Sequence, residues 1–295
     1  MRGAHPDRAI EQALESNGVI RRGEHVLVAC SGGPDSVALV SALQAVSKPM
    51  ALRIGVAHLN HRVRESAWQD ECVVLRIAAT YDLPLHVIAL RTGAHDEQAL
   101  REARYAALVE IAQERGYSAI ATAHHAEDQS ETVLLALLRG AGPGGLGGMR
   151  ARRPLRPGLD LARPLLSVGS EALRAYCYGQ ALPFAVDPTN AETDRRRNAV
   201  REALDALRPL FPGLDRAIAR AAELVGDERR GSGRADLRRR VRDRLAGQDD
   251  LRDIDFAHVE AAVRALEAGR TGTFHMKAGV SLKIERGAIS GINKE

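Results

Sequence analysis

An apolar run that ends in Ser31, Gly32, Gly33, Pro34, Asp35 and Ser36 and then re-enters helical sequence constrains this chain more than any other feature. Residues 25–30 (HVLVAC) are short and uninterrupted in their apolarity, the signature of a strand buried on both faces. Residues 36–46 (SVALVSALQAV) have helical composition. Glycines between the two let the backbone approach a ligand closely, and N–H groups at a helix start carry partial positive charge. The junction is therefore built to receive an anion, with Ser31 and Ser36 adding hydroxyl donors. The pattern repeats. Strands are expected at 52–59, 85–90 and 117–123, and helices at 66–80, 96–115 and 128–138. Within 66–80, Trp68, Cys72, Leu75 and Ala79 recur at helical spacing. Strands alternating with helices imply an α/β fold with a parallel sheet and right-handed crossovers. Ligands of such sheets bind beyond the carboxyl ends of the strands. Polar clusters follow three of the four strand ends: SGGPDS, then HLNH, then HHAEDQ. They are expected to converge on one sheet edge.

The second half reads differently. Residues 140–148 (GAGPGGLGG) are too glycine-rich for a regular element and are expected to form a flexible loop, the candidate lid. Helices are expected at 173–180, 198–207, 215–225, 237–245 and 255–268, with a loop around 231–233 and a short strand at Val280, Leu282 and Ile284. Pro209 and Pro212 suggest a boundary, giving domains 1–210 and 211–295, the second small and mostly helical. Between Arg150 and Arg244 lie 21 Arg, no Lys and 13 acids, a surplus of eight positive charges. The whole chain carries only +4, so the remainder is acidic. A basic half fits either a polyanion partner or a solvated helical surface. The three cysteines, Cys30, Cys72 and Cys177, are odd in number and widely spaced, which fits neither a disulfide framework nor a zinc site. No apolar run approaches the ~18 residues of a membrane helix, and the first residues lack a signal-peptide pattern. A cytoplasmic protein with no membrane association is the expectation.

The loop lacks the lysine of GxxxxGK[ST]. It matches SGGxDS, the PP-loop of ATP pyrophosphatases, which cleave between the α- and β-phosphates. His58-Leu59-Asn60-His61 with Ser66 and Asp70 resembles HxNHxLRxxSxxD, with Val63 in place of leucine. Arg101, Arg104, Tyr105 and Leu108 match RxxRYxxL. Residues 121–149 match ATAHHxDDQxETxLLxLxRGSGxxGLxGM almost throughout, with Glu127 for the usual Asp and Ala141 for the usual Ser. Arg163-Pro164-Leu165-Leu166, residues 187–190 (DPTN) and Arg197-Asn198 with Arg201 continue the same order. Taken together, these stretches resemble the tRNA(Ile)-lysidine synthetase family, densely from residue 26 to 210 and weakly beyond 215.

That resemblance implies an ATP- and Mg²⁺-dependent ligase that joins free L-lysine to the wobble cytidine of a tRNA(Ile) with a CAU anticodon. It implies a PP-loop domain with a small tRNA-contacting domain, and a homodimer is kept as the candidate assembly. Ala29, Ser31, Gly32, Gly33, Pro34, Asp35, Ser36, His58 and Gly140 would bind ATP. Asp35, Arg101, Arg104, Asp128 and Glu131 would be catalytic, with Asp35 and Asp128 as Mg²⁺ ligands. His124, His125, Asp187, Arg197 and Arg201 would shape the lysine and cytidine site. Asp128, Glu131 and Asp187 remain equal candidates for holding the lysine ammonium. The rival readings are a PP-loop tRNA thiolase, for which the chain lacks a CxxC pair, and a non-catalytic ATP- or RNA-binding homologue.

Overall fold

The computed structural model describes residues 6–60, 67–89, 97–185, 195–230, 233–245, 256–275 and 280–294. Asp187 and its neighbours, residues 61–66 and most of the 231–233 loop lie outside the described residues. The elements run α1 (Pro6–Ser16), β1 (His25–Ala29), α2 (Pro34–Ala45), α3 (Ser47–Met50), β2 (Arg53–Asn60), α4 (Ala67–Thr80), β3 (Leu85–Ala89), α5 (Glu97–Glu114), β4 (Ala119–Ala121) and α6 (Ala126–Leu138). They continue α7 (Pro143–Leu146), β5 (Arg152–Arg156), β6 (Leu159–Ala162), α8 (Ser170–Gly179), α9 (Arg195–Leu207), α10 (Leu214–Arg230), α11 (Gly233–Leu245), α12 (Phe256–Glu267), β7 (Gly272–His275), β8 (Val280–Glu285) and β9 (Ala288–Lys294). Two compact units result, Met1–Ala222 and Glu223–Glu295. No described helix is long and apolar enough to cross a membrane.

In the first unit the sheet order is β3-β2-β1-β4-β6-β5, parallel except for β5. β1 is central and alternates sides. Val26 and Val28 pack with Ile10, Leu14, Leu39, Leu43, Leu173 and Tyr176, while Leu27 packs with Leu108, Ala112 and Ile120 on the opposite face. From β1 the chain adds β2 and β3 on one side, then crosses to add β4 on the other. The carboxyl ends of β2, β1 and β4 are thus neighbours, as the three polar clusters required.

The structure adds to the sequence reading in three places. The hairpin β5–β6 was not legible: RRPLR carries too much charge to read as a strand, and Pro154 is tolerated there because β5 is an edge. Arg152 compensates by pairing with Glu24 (2.6 Å) and Asp160 (2.7 Å), tying the hairpin to the start of β1. The glycine-rich segment is not a uniform loop. It holds α7, and its end is fixed because the Gln129 amide both accepts from Met149 N–H (2.8 Å) and donates to Met149 C=O (3.1 Å). In α4 the Trp68, Cys72, Leu75 and Ala79 stripe is exposed, with Trp68 at 62%. Val74, Ile77 and Ala78 face the core instead.

The second unit packs α11 and α12 on a three-stranded antiparallel sheet, β7-β8-β9. Its core comprises Val241, Leu245, Val259, Val263, Leu266, Leu282 and Ile284. Only β8 was expected from the sequence. Arg238 is buried there, its guanidinium held by Asp227 (2.6 Å) and Glu260. Much of the arginine surplus is therefore structural: Arg152, Arg197, Arg201, Arg208, Arg234 and Arg238 all have carboxylate partners.

Candidate functional site

Ala29 closes β1, and Cys30 still bonds to β2 through its N–H to Ala57 C=O (2.9 Å). The buried His58 imidazole donates from Nδ1 to the Cys30 carbonyl (2.9 Å). The loop is folded around the Ser36 hydroxyl. It donates to Gly33 C=O (2.9 Å) and accepts from Ser31 N–H (3.2 Å), with Ser31 Oγ at 3.2 Å. Gly32 sits at φ +96°, pressed against the backbone of Asp70, and its C=O accepts from Ala185 N–H (2.9 Å). Gly33 is the N-cap of α2 and Pro34 opens the helix, with no side-chain cap. Among the described residues, no side chain caps the start of α2, the arrangement that suits a phosphate.

Asp35 lies in the first turn of α2. Its Oδ1 is buried and has no hydrogen-bond partner among the described residues. Burial pushes its carboxyl above the ordinary Asp range, against the pull of His125. Across the site, the turn from β4 into α6 presents His124, His125, Glu127 and Asp128. His125 Nε2 stands 3.8 Å from Asp35 and 3.5 Å from Asp128, while Nδ1 donates to Glu127 (2.9 Å). Burial alone would lower this imidazole, but the Glu127 hydrogen bond and the charges of Asp128 and Asp35 raise it to about 9. Glu127 is itself drawn down to about 2, its burial outweighed by hydrogen bonds from His125, its own backbone and Ser170. His124 behaves oppositely. Burial, reinforced by Arg163 and Arg101, depresses it to about 3, and Nδ1 shares a 2.8 Å hydrogen bond with Thr122 Oγ1. Two adjacent histidines are thus held in different charge states.

Glu127 occupies the position where aspartate is usual in the resembling family, and its extra reach has a use. It accepts from both Ser170 N–H (3.0 Å) and Ser170 Oγ–H (3.0 Å), joining α6 to the first turn of α8. Sequence reasoning missed Ser170, because 43 residues separate the partners. Gln129, Thr122 and Arg163 stand in the matched motifs, but sequence reasoning gave them no role. The last is buried, donates to Arg150 C=O (2.8 Å) and has no partner at Nε among the described residues.

The buried Glu131 is shared by two arginines of α9, Arg197 to Oε2 (2.9 Å) and Arg201 to Oε1 (2.8 Å). Arg101 and Arg104 are exposed on α5, with the Arg101 guanidinium 5.5 Å from the Tyr105 ring centroid. Gly140 lies past the far end of α6, about 18 Å along the helix from Asp128. The structure therefore brings together Ala29, Ser31 to Ser36, His58, His125 and Asp128. It joins Glu131 to Arg197 and Arg201, and it leaves Gly140 apart.

For a divalent cation, the donor set is two carboxylates, Asp35 and Asp128. No group of three metal-holding side chains forms among the described residues. That suits Mg²⁺, which takes one or two protein carboxylates and completes its shell with waters and substrate phosphates. The orphaned Asp35 Oδ1 is consistent with such a partner.

A pH signature follows. His125 is raised above its unfolded value, so its contribution is complete below about pH 6.5 and vanishes as pH climbs through about 9. Glu127 is depressed, so its contribution holds above about pH 4.5 and is lost as pH falls through about 2. The His125→Gln variant should lose about 2 kcal/mol near pH 6, where the full pair is charged. Thermal denaturation of both proteins should show the gap shrinking above pH 9; a constant gap across that range would refute the charge assignment.

The PP-loop domain family matches residues 4–207. The tRNA(Ile)-lysidine synthase of Geobacter sulfurreducens is 40% identical over 221 residues, covering 72% of this chain and 46% of that protein. The tRNA(Ile)-lysidine synthase of Salinispora tropica is 45% identical over 206 residues, covering 68% of this chain and 62% of its own length. The chain thus spans about half to two thirds of the length of these relatives. Among solved structures, the U34-tRNA thiolase NcsA from Methanococcus maripaludis, with its [4Fe-4S] cluster, superposes with a TM-score of 0.63 at 16% identity. That match covers 75% of this chain and 78% of the thiolase. It is a likeness of fold.

Proposed function

Given that the chain belongs to the PP-loop domain family, we propose that it is an ATP-consuming ligase acting on tRNA(Ile). It joins free L-lysine to C2 of the wobble cytidine of a CAU anticodon. The observation that carries this reading is the convergence of the Ser31 to Ser36 loop with the His125 and Asp128 junction, matched by relatives named for that activity.

ATP lies at the strand ends, its pyrophosphate on the open start of α2. The cytidine O2 attacks the α-phosphorus, the bond to the β-phosphate breaks, and pyrophosphate leaves. Asp35 and Asp128 would hold Mg²⁺, which draws charge from the leaving group when bound. Arg101 and Arg104 face the developing negative charge from α5. The ε-amine of lysine, having lost a proton, then attacks C2, and the C2–O bond breaks to release AMP. Glu131 suits the amine poorly, because its two oxygens already accept from Arg197 and Arg201. The depressed His124 stays neutral, fit to hydrogen-bond a base without adding charge. Exposed Arg240 and Arg244 on α11 offer the second unit a phosphate-contacting face.

The thiolase alternative loses ground on the cysteines. Cys30 and Cys177 are buried and Cys72 is exposed on α4. Burial pushes the Cys177 thiol up to about 12 and raises Cys30 as well, whereas sulfur relay and cluster ligation need thiolates. Incubation with ATP, Mg²⁺, labelled lysine and an unmodified tRNA(Ile) transcript should attach label covalently to RNA. Adenylation without lysine transfer would sink the ligase reading.

A further inference from the structure

A site that expels pyrophosphate needs fixed positive charge at the leaving group. The Ser31 to Ser36 loop supplies none from side chains, since its one charged residue is Asp35. Apart from Arg101 and Arg104 on α5, already assigned to the reacting phosphate, the cations around it are largely committed. His125 is taken up by Glu127, Asp128 and Asp35, and Arg197 and Arg201 by Glu131.

The helix α8 offers another. Ser170, Arg174 and Cys177 fall at i, i+4 and i+7, one stripe along the helix. Both ends of that stripe are attached to the site. Ser170 donates twice to Glu127, and Cys177 Sγ–H donates to the carbonyl of Pro34 (3.3 Å), the first residue of α2. Arg174 lies between these two attachments. It is solvent-exposed, and it makes no hydrogen bond or ion pair with a described residue. Its positive charge is one of those that pull the Asp35 carboxyl down, the residue whose Oδ1 is orphaned among the described residues.

We propose that Arg174 is a phosphate-binding residue that supplies, from α8, the positive charge absent from the loop, and that it contacts the β- and γ-phosphates of the nucleotide. The assignment rests on the reading of the loop as an ATP site. The Pro34 contact brings the Cys177 end of this stripe to the start of α2, where the reading of the loop as an ATP site puts the pyrophosphate portion.

The test compares Arg174→Met and Arg174→Lys with the unaltered protein in calorimetric titrations with α,β-methylene-ATP and with AMP, both with Mg²⁺. Arg174→Met should weaken the triphosphate analogue about tenfold, one charge-assisted hydrogen bond, and leave AMP affinity unchanged. Arg174→Lys should recover part of the loss, and thermal stability should not move, because the side chain is exposed. Equal analogue affinity in Arg174→Met, or parallel weakening of analogue and AMP, overturns the assignment while the ATP reading stands. An unaltered protein that binds neither nucleotide overturns both.

Discussion

Replacing Gly32 by alanine should abolish nucleotide binding while its neighbour Gly33 tolerates the same change. At Gly32 a Cβ would sit 2.9 Å from Asp70 O and 3.1 Å from Asp70 Cα, both backbone atoms of α4. A helix backbone cannot yield as a flexible side chain can. The residue also stands at φ +96°, a conformation that L side chains rarely adopt. Strain and overpacking together amount to about 2–5 kcal/mol. The cheapest relief is for the loop to move, which breaks the Ser36 hydrogen bonds and the Ala185 N–H contact to Gly32 C=O. A loss of at least about 100-fold in affinity for α,β-methylene-ATP corresponds to about 2.7 kcal/mol at the site. At Gly33 φ is −72°, and the nearest atom to a Cβ is Ser31 Oγ at 3.5 Å, an ordinary contact. Gly33→Ala should therefore bind within a fewfold of the original. Equal behaviour of the two variants would contradict the described loop.

Glu131→Gln should release α9. The carboxylate is 4% exposed and pairs with two guanidiniums that are 30% and 40% exposed. Removing one partner of a buried pair costs about 3–5 kcal/mol. Water reaches these arginines and screens part of that, so about 2 kcal/mol is expected, or a melting-point drop of about 4–8 °C. Hydrogen exchange should quicken across α9 and leave β1 unchanged. Adding Arg197→Met and Arg201→Met to Glu131→Gln should recover stability, because the uncompensated charges go with them. An unchanged melting point and unchanged α9 protection would show that Glu131 does not hold this helix.

The central strands and the three polar clusters were legible because each signal is local. HVLVAC announces a strand buried on both faces, and parallel order then forces SGGPDS and HHAEDQ side by side. The β5–β6 hairpin was hidden by charge that Glu24 neutralises from 128 residues away. The Trp68, Cys72 and Leu75 periodicity correctly marks a helix but says nothing of which stripe faces inward; Val74 and Ile77 settle that. Within the site, Asp35, His125 and Asp128 were legible, whereas the reason for Glu127 was not. Its length matters only because Ser170 opens α8 within its reach. The arginine surplus suggested a polyanion surface, yet many of those side chains are bound to carboxylates inside their own unit.

On the proposed function, the loop at Asp35 and the junction at Asp128 act on one ATP molecule, cleaving it between the α- and β-phosphates in response to RNA. The most direct measurement is pyrophosphate release from ATP and Mg²⁺ with and without an unmodified tRNA(Ile) transcript bearing CAU, using Asp35→Ala as the control. Release should require the transcript, proceed without lysine and be lost in Asp35→Ala. Release of orthophosphate instead, or pyrophosphate release that survives in Asp35→Ala, would contradict the proposed function.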